Sequence, residues 1–114
     1  MSVMLIMKMD IDTSNGTFTE VTEAAFPEEG VYRMLELPAL QWKIWLKDEV
    51  NEQVSGVYLF AAREAAEGYA KMAFENIGKR PGIKNLTNQI WDIYEDKTQI
   101  TKGPIDLPLI KELS

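Results

Sequence analysis

Gln41-Trp42-Lys43-Ile44-Trp45-Leu46 and Gly56-Val57-Tyr58-Leu59-Phe60-Ala61 are two short runs of aromatic, branched and other apolar residues. Such residues suit a pleated, half-buried chain, so each run reads as a strand. Between them lies Lys47-Asp48-Glu49-Val50-Asn51-Glu52-Gln53-Val54-Ser55, and the three segments together predict a hairpin with a long, charged connection. Both sides of each strand are largely apolar. Trp42, Ile44 and Leu46 occupy one side of the first, with Gln41, Lys43 and Trp45 on the other. In the second, Val57, Leu59 and Ala61 oppose Tyr58 and Phe60. A sheet built from these runs has no ordinary solvated face.

Working outward, Val3 to Ile11 is a further apolar run that ends at Asp12-Thr13-Ser14-Asn15-Gly16, a cluster of turn formers, and reads as a buried strand. Thr19 to Leu37 has helical spacing in Val21, Ala24, Ala25, Val31, Met34 and Leu35, interrupted at Pro27 and Gly30, which predicts a bent helix or two shorter ones. Ala62 to Ile77 places Ala62, Ala66, Tyr69, Ala73 and Ile77 on one stripe, with Gly78 as its terminator. Leu86 to Tyr94 alternates as a fourth strand. From Glu95 onward, Gly103, Pro104 and Pro108 interrupt the apolar residues, so this segment is expected to be ordered by packing and not as a regular element.

The order strand, helix, strand, strand, helix, strand is the split βαβ, ferredoxin-like α+β plan, an antiparallel sheet with two helices on one face. Residues 1–103 form the domain and 104–114 a tail. The other sheet face is left bare and apolar, which implies a homodimer whose sheets pack face to face. Ile105, Leu107, Leu109 and Ile110 are then expected to pack on the partner subunit.

Composition limits the chemistry. The chain has 114 residues and a mass of 13.0 kDa, room for one domain. It contains neither cysteine nor histidine, which excludes disulfides, thiolate nucleophiles, cysteine or histidine zinc sites and histidine-based triads. The net charge of −6, from 12 basic against 18 acidic residues, opposes binding to nucleic acid or anionic lipid. The apolar start at Met1 to Met7 is far shorter than the roughly 20 residues a membrane span needs. A cytoplasmic protein is the expectation.

Leu40-Gln41-Trp42-Lys43-Ile44-Trp45, the acidic loop, Ser55-Gly56-Val57-Tyr58-Leu59-Phe60 and the helix through Ala65-Ala66-Glu67-Gly68-Tyr69 resemble the YdhR-type mono-oxygenases. Asn15-Gly16-Thr17-Phe18, Pro27, Ile90-Trp91-Asp92-Ile93 and Thr98-Gln99-Ile100 fit the same pattern. The resemblance runs to about Gly103 and implies a dimeric α+β barrel, the superfamily of the cofactor-free antibiotic-biosynthesis mono-oxygenases. Two departures stand out. Ala61-Ala62 replaces a polar cap before the second helix, and Leu107 to Ser114 has no counterpart.

No P-loop, dinucleotide fingerprint or metal-ligand spacing is present. Asp10-Ile11-Asp12 and Glu28-Glu29 read as solvated surface, and no metal site is expected. The mono-oxygenase reading needs no cofactor if the substrate is a small aromatic, quinol-like molecule that reduces dioxygen itself. The protein then supplies a dry pocket, a proton acceptor and donors that steady an anion. Tyr58 and Trp42 are candidate donors. Arg63, at the start of the second helix, is a candidate anion partner, or else the member of an exposed ion pair. Asp92 is a candidate base if buried among its apolar neighbours, or a solvent-facing residue at a strand end. Tyr32, Trp45, Phe60, Tyr69 and Trp91 are candidate pocket linings, with core packing as the competing role for each. The alternative function is a non-catalytic dimeric binding protein for a hydrophobic metabolite.

Overall fold

In β1, Val3–Ile11, the odd residues Val3, Leu5, Met7, Met9 and Ile11 are buried, while the even ones between them are partly or fully exposed. That alternation gives the strand one covered face. The structure, a computed structural model, describes residues 2–105. After β1 come α1, Phe18–Ala25; α2, Glu28–Arg33; β2, Leu40–Asp48; β3, Gln53–Phe60; α3, Arg63–Asn76; β4, Ile83–Asp92; and α4, Glu95–Ile100. The four strands form one antiparallel sheet in the order β2-β3-β1-β4, the ferredoxin-like arrangement. Leu5 pairs with Tyr58 on one side and Ile90 on the other, so β1 is central.

The covered face packs on α3, whose Ala66, Tyr69, Ala70 and Ala73 are buried with the odd residues of β1. Small alanines let the helix approach closely, and Tyr69 fills the space they leave. α1 begins with a capping box, in which the Thr17 side chain accepts from the Glu20 backbone and Glu20 accepts from the Thr17 backbone. Pro27 divides the predicted bent helix into α1 and α2, and Gly30 sits inside α2 without breaking it. A 3-10 turn over Met34–Glu36 follows α2. α3 starts at Ala62 with no side-chain cap, and Gly78 lies in the 3-10 turn Ile77–Lys79 that closes it.

Two expectations are corrected. The β2–β3 connection is four residues, 49–52, because β2 is an edge strand whose Lys47 and Asp48 stay paired with Val54 and Gln53 while facing solvent. The turn closes on Asp48, whose carboxylate accepts from the backbone and side-chain amides of Asn51 at 3.1 and 2.8 Å. Secondly, α4 is regular, although it carries neither a side-chain cap nor a buried residue.

The uncovered face carries Met4 and Ile6 of β1, Trp42, Ile44 and Leu46 of β2, Val57 and Leu59 of β3, and Trp91 of β4. Ile44, Leu46 and Trp91 are 49%, 47% and 52% exposed, a large apolar strip for a surface in water. The Trp42 indole N–H donates to the Pro104 carbonyl at 2.8 Å, which seats residue 104 on this face. Leu107, Leu109 and Ile110 lie outside the described residues. Among the described residues, no helix is long and apolar enough to cross a membrane.

Candidate functional site

A cavity of about 230 Å³ lies between the covered face of the sheet, α2 and α3. Met7 and Met9 of β1, Lys43 and Trp45 of β2, and Gly56 and Tyr58 of β3 form its floor. Val31 and Met34 wall it from the α2 side, Tyr69 and Met72 from α3, and Arg33 and Arg80 also line it. Aromatic and thioether groups dominate, a surface suited to a flat, polarisable ligand.

The pleat of β2 brings Lys43 here. Register sets Lys43 opposite Tyr58 and Trp45 opposite Gly56, all on the helix side. Gly56 makes the room, because a methyl group on it would lie 2.9 Å from Lys43 Cε and 3.0 Å from the Tyr58 ring. Lys43 Nζ sits 3.2 Å from the centroid of the Trp45 ring, 4.4 Å from that of Tyr58, and 3.5 Å from Met34 Sδ. No ion pair among the described residues involves it. Burial lowers its pKa from 10.5 to about 7. The two ring faces work against this by about 0.5–2 kcal/mol in favour of the ammonium. Each pH unit of that shift is worth ~1.4 kcal/mol, so desolvation prevails.

The Tyr58 and Tyr69 hydroxyls are 3.4 Å apart, with their ring centroids at 5.1 Å, and Met7 Sδ lies 3.8 Å from the Tyr58 hydroxyl. Burial raises the pKa of both phenols, so they remain hydrogen-bond donors at neutral pH. Arg80 Nη1 donates to the Ala25 carbonyl at 2.7 Å, tying the end of α1 to the segment after α3. Phe26 meets the edge of Trp45 at a centroid distance of 5.6 Å. Among the described residues, no cluster of three or more acidic side chains is placed to hold a metal ion.

Of the residues singled out in the sequence, the structure brings Tyr58, Trp45 and Tyr69 together in this cavity. Phe60 stacks on Tyr58 at 6.0 Å but is packed in the core beside the cavity. Trp42 and Trp91 are on the opposite face, because their register partners are Leu59 and Met4. Trp42 therefore cannot act with Tyr58 on one ligand. Tyr32 points away from the cavity and is 63% exposed. Arg63 and Asp92 pair with each other at the open end of the sheet. The burial that would make Asp92 a base is absent, since its side chain is 69% exposed. Sequence reasoning missed Lys43 and its companion Gly56. Their signal was a lysine between two tryptophans, paired with a tyrosine two residues after a glycine in the next strand.

The family model described as putative mono-oxygenase YdhR matches residues 6–104. No curated protein matches the chain. Solved structures share the fold at low identity. A dimeric ferredoxin-like protein from an uncultured marine organism superposes with a TM-score of 0.58 at 15% identity, over 82% of this chain and 89% of that one. A protein of Caulobacter crescentus described as a putative antibiotic biosynthesis mono-oxygenase gives 0.58 at 12%, over 82% and 91%. SnoaB, a cofactor-independent oxygenase from Streptomyces nogalater, gives 0.51 at 10%, over 82% and 94%. With 99 consecutive residues under one family model, from within β1 to beyond α4, the chain belongs to the YdhR family.

Proposed function

We propose that the protein is a cofactor-independent mono-oxygenase that oxidises a small aromatic, quinol-like substrate in the cavity between sheet and helices. The observation that carries this reading is the lining, in which Trp45, Tyr58, Tyr69 and four methionines surround two hydroxyls held as donors. Such a substrate is its own reductant. In the simplest case an activated ring methylene becomes a carbonyl. One atom of dioxygen enters the ring, the other leaves as water, and the substrate gives up both hydrogens and four electrons. The protein excludes water, orients the ring and donates hydrogen bonds from Tyr58 and Tyr69 to the substrate oxygen as it gains negative charge. The cavity volume of about 230 Å³ lies below the roughly 300–1,000 Å³ of pockets for drug-sized ligands, which favours one or two rings.

The resemblance in fold to a dimeric ferredoxin-like protein and the uncovered apolar face support a homodimer. The test is oxygen uptake with 1,4-dihydroxynaphthalene at pH 7. Uptake is expected well above the spontaneous rate, falling by about 10²-fold in Tyr58→Phe, which keeps the ring and removes the donor. Binding of the quinol with no uptake beyond the spontaneous rate would instead establish the binding-protein alternative.

A further inference from the structure

Deprotonating the substrate requires a proton acceptor, and the cavity lining offers one. Its polar residues are Lys43, Arg33, Arg80, Tyr58, Tyr69 and Ser55, the last with its hydroxyl donating to the Met7 carbonyl. Guanidinium groups stay protonated in proteins and cannot accept a proton. Both phenols are kept in their protonated form by burial, and a serine hydroxyl is no base at neutral pH. No carboxylate of the described residues lines the cavity. The amine of Lys43 is what is left, and its surroundings suit the role. Two ring faces and a thioether contact Nζ, so nothing anionic holds it in advance. Two guanidinium groups, Arg33 and Arg80, also line the cavity in a chain whose net charge is −6, which makes the cavity a local exception to the sign of the whole molecule.

We infer that Lys43 is a catalytic residue that takes the hydroxyl proton of the substrate, and that the substrate is an acidic hydroxyarene or enol held as its anion against the ammonium so formed. This rests on the mono-oxygenase reading and adds the base and the substrate class. In the step, the substrate O–H bond breaks, an N–H bond forms on Nζ, and the electron pair stays on the substrate oxygen. The oxyanion then has the electron-rich ring that dioxygen requires, with Tyr58 and Tyr69 as its neutral donors. The groups facing Lys43 are Trp45 on its own strand, Tyr58 from β3, Met34 after α2 and, across the cavity, Tyr69, Arg33 and Arg80. Desolvation opposes the positive charge on Lys43 until the anion arrives. Proton transfer and anion binding are thereby coupled.

The probe is 4-nitrophenol, whose anion absorbs in the visible and whose neutral form does not. At about pH 6, where the free probe is mostly neutral, saturating wild-type protein is expected to produce the anion band. The bound probe's midpoint should fall by about 1–3 pH units. Lys43→Met, close in length and uncharged, should remove the band and weaken the anion's binding at least tenfold. Should that variant fail to fold, carbon NMR of the Lys43 side chain in wild-type protein gives a second measurement, in which the probe must raise the lysine's midpoint. A bound probe that stays neutral, or an unchanged band in Lys43→Met, would overturn the assignment. Oxygen uptake separates the two readings. The band without uptake supports Lys43 as the anion's partner and removes the oxygenase, whereas uptake unaltered in Lys43→Met removes Lys43 and keeps the oxygenase.

Discussion

At the scale of the residue, the unusual member of the site is a buried amine with no counter-ion among the described residues. Its depressed pKa has a consequence for folding. In the unfolded chain Lys43 holds its proton up to about 10.5, and in the folded protein only to about 7. Between those values the unfolded state binds more protons, so stability rises with pH across that window, and below it the full cost of burying the charge is present. Lys43→Met should therefore stabilise the protein at pH 6 by about 2–3 kcal/mol, after allowing for the lost ring contacts, and by little above pH 10.5. Urea unfolding at the two pH values measures this, and a gain independent of pH would show that the amine is not desolvated. The same residue marks where the sequence was hard to read. A lysine in an apolar strand looks like the solvated side of an edge, and only the cross-strand partners Tyr58 and Gly56 reveal the covered side. The Arg63–Asp92 pair was legible only as two separate candidates, because 29 residues separate them in sequence and the pairing of β4 with β1 joins them.

At the scale of the element, periodicity specified most of the architecture. β1, α3 and the hairpin strands were legible because each repeats apolar residues at its own spacing. The short α4 was not, since six residues with no buried member carry no stripe. The ends of β2 and β3 were also hidden, because an edge strand continues through charged residues that resemble a loop. One junction limits how the elements meet. Gly82, just before β4, has φ +84°, and its carbonyl accepts from the Asp12 backbone at 2.9 Å. A methyl group there would lie 2.3 Å from Val21 Cγ1 in α1. Gly82→Ala should cost about 1–3 kcal/mol in thermal unfolding, part from the backbone and part from the clash. Adding Val21→Ala should relieve the steric part and leave the backbone part. Full recovery in the double variant would show that φ contributes nothing.

At the scale of the whole molecule, the sheet has one face covered by its own helices and one left open. The proposed homodimer covers the second, so a charge placed at its centre should separate the subunits. Ile44→Glu is expected to sediment as a monomer at micromolar concentration, with the far-ultraviolet spectrum of the wild type retained. A wild-type chain that already sediments as a monomer would defeat the proposal. The apolar character of both faces was legible in the sequence, but which face carried the cavity was not. That depends on which side α3 packs, and the alternation Trp42, Lys43, Ile44, Trp45 is compatible with either.

Along β2, residues 42, 44 and 46 look outward and 43 and 45 look into the cavity. Under the proposed function and homodimer, neighbouring positions in the chain answer to separate tasks, self-association on one side and ligand chemistry on the other, with a sheet one strand thick between them. Changes at alternate positions should combine nearly independently wherever their side chains share no partner. A lineage carrying this strand can retune what it binds by altering every second residue while its quaternary structure stays as it was.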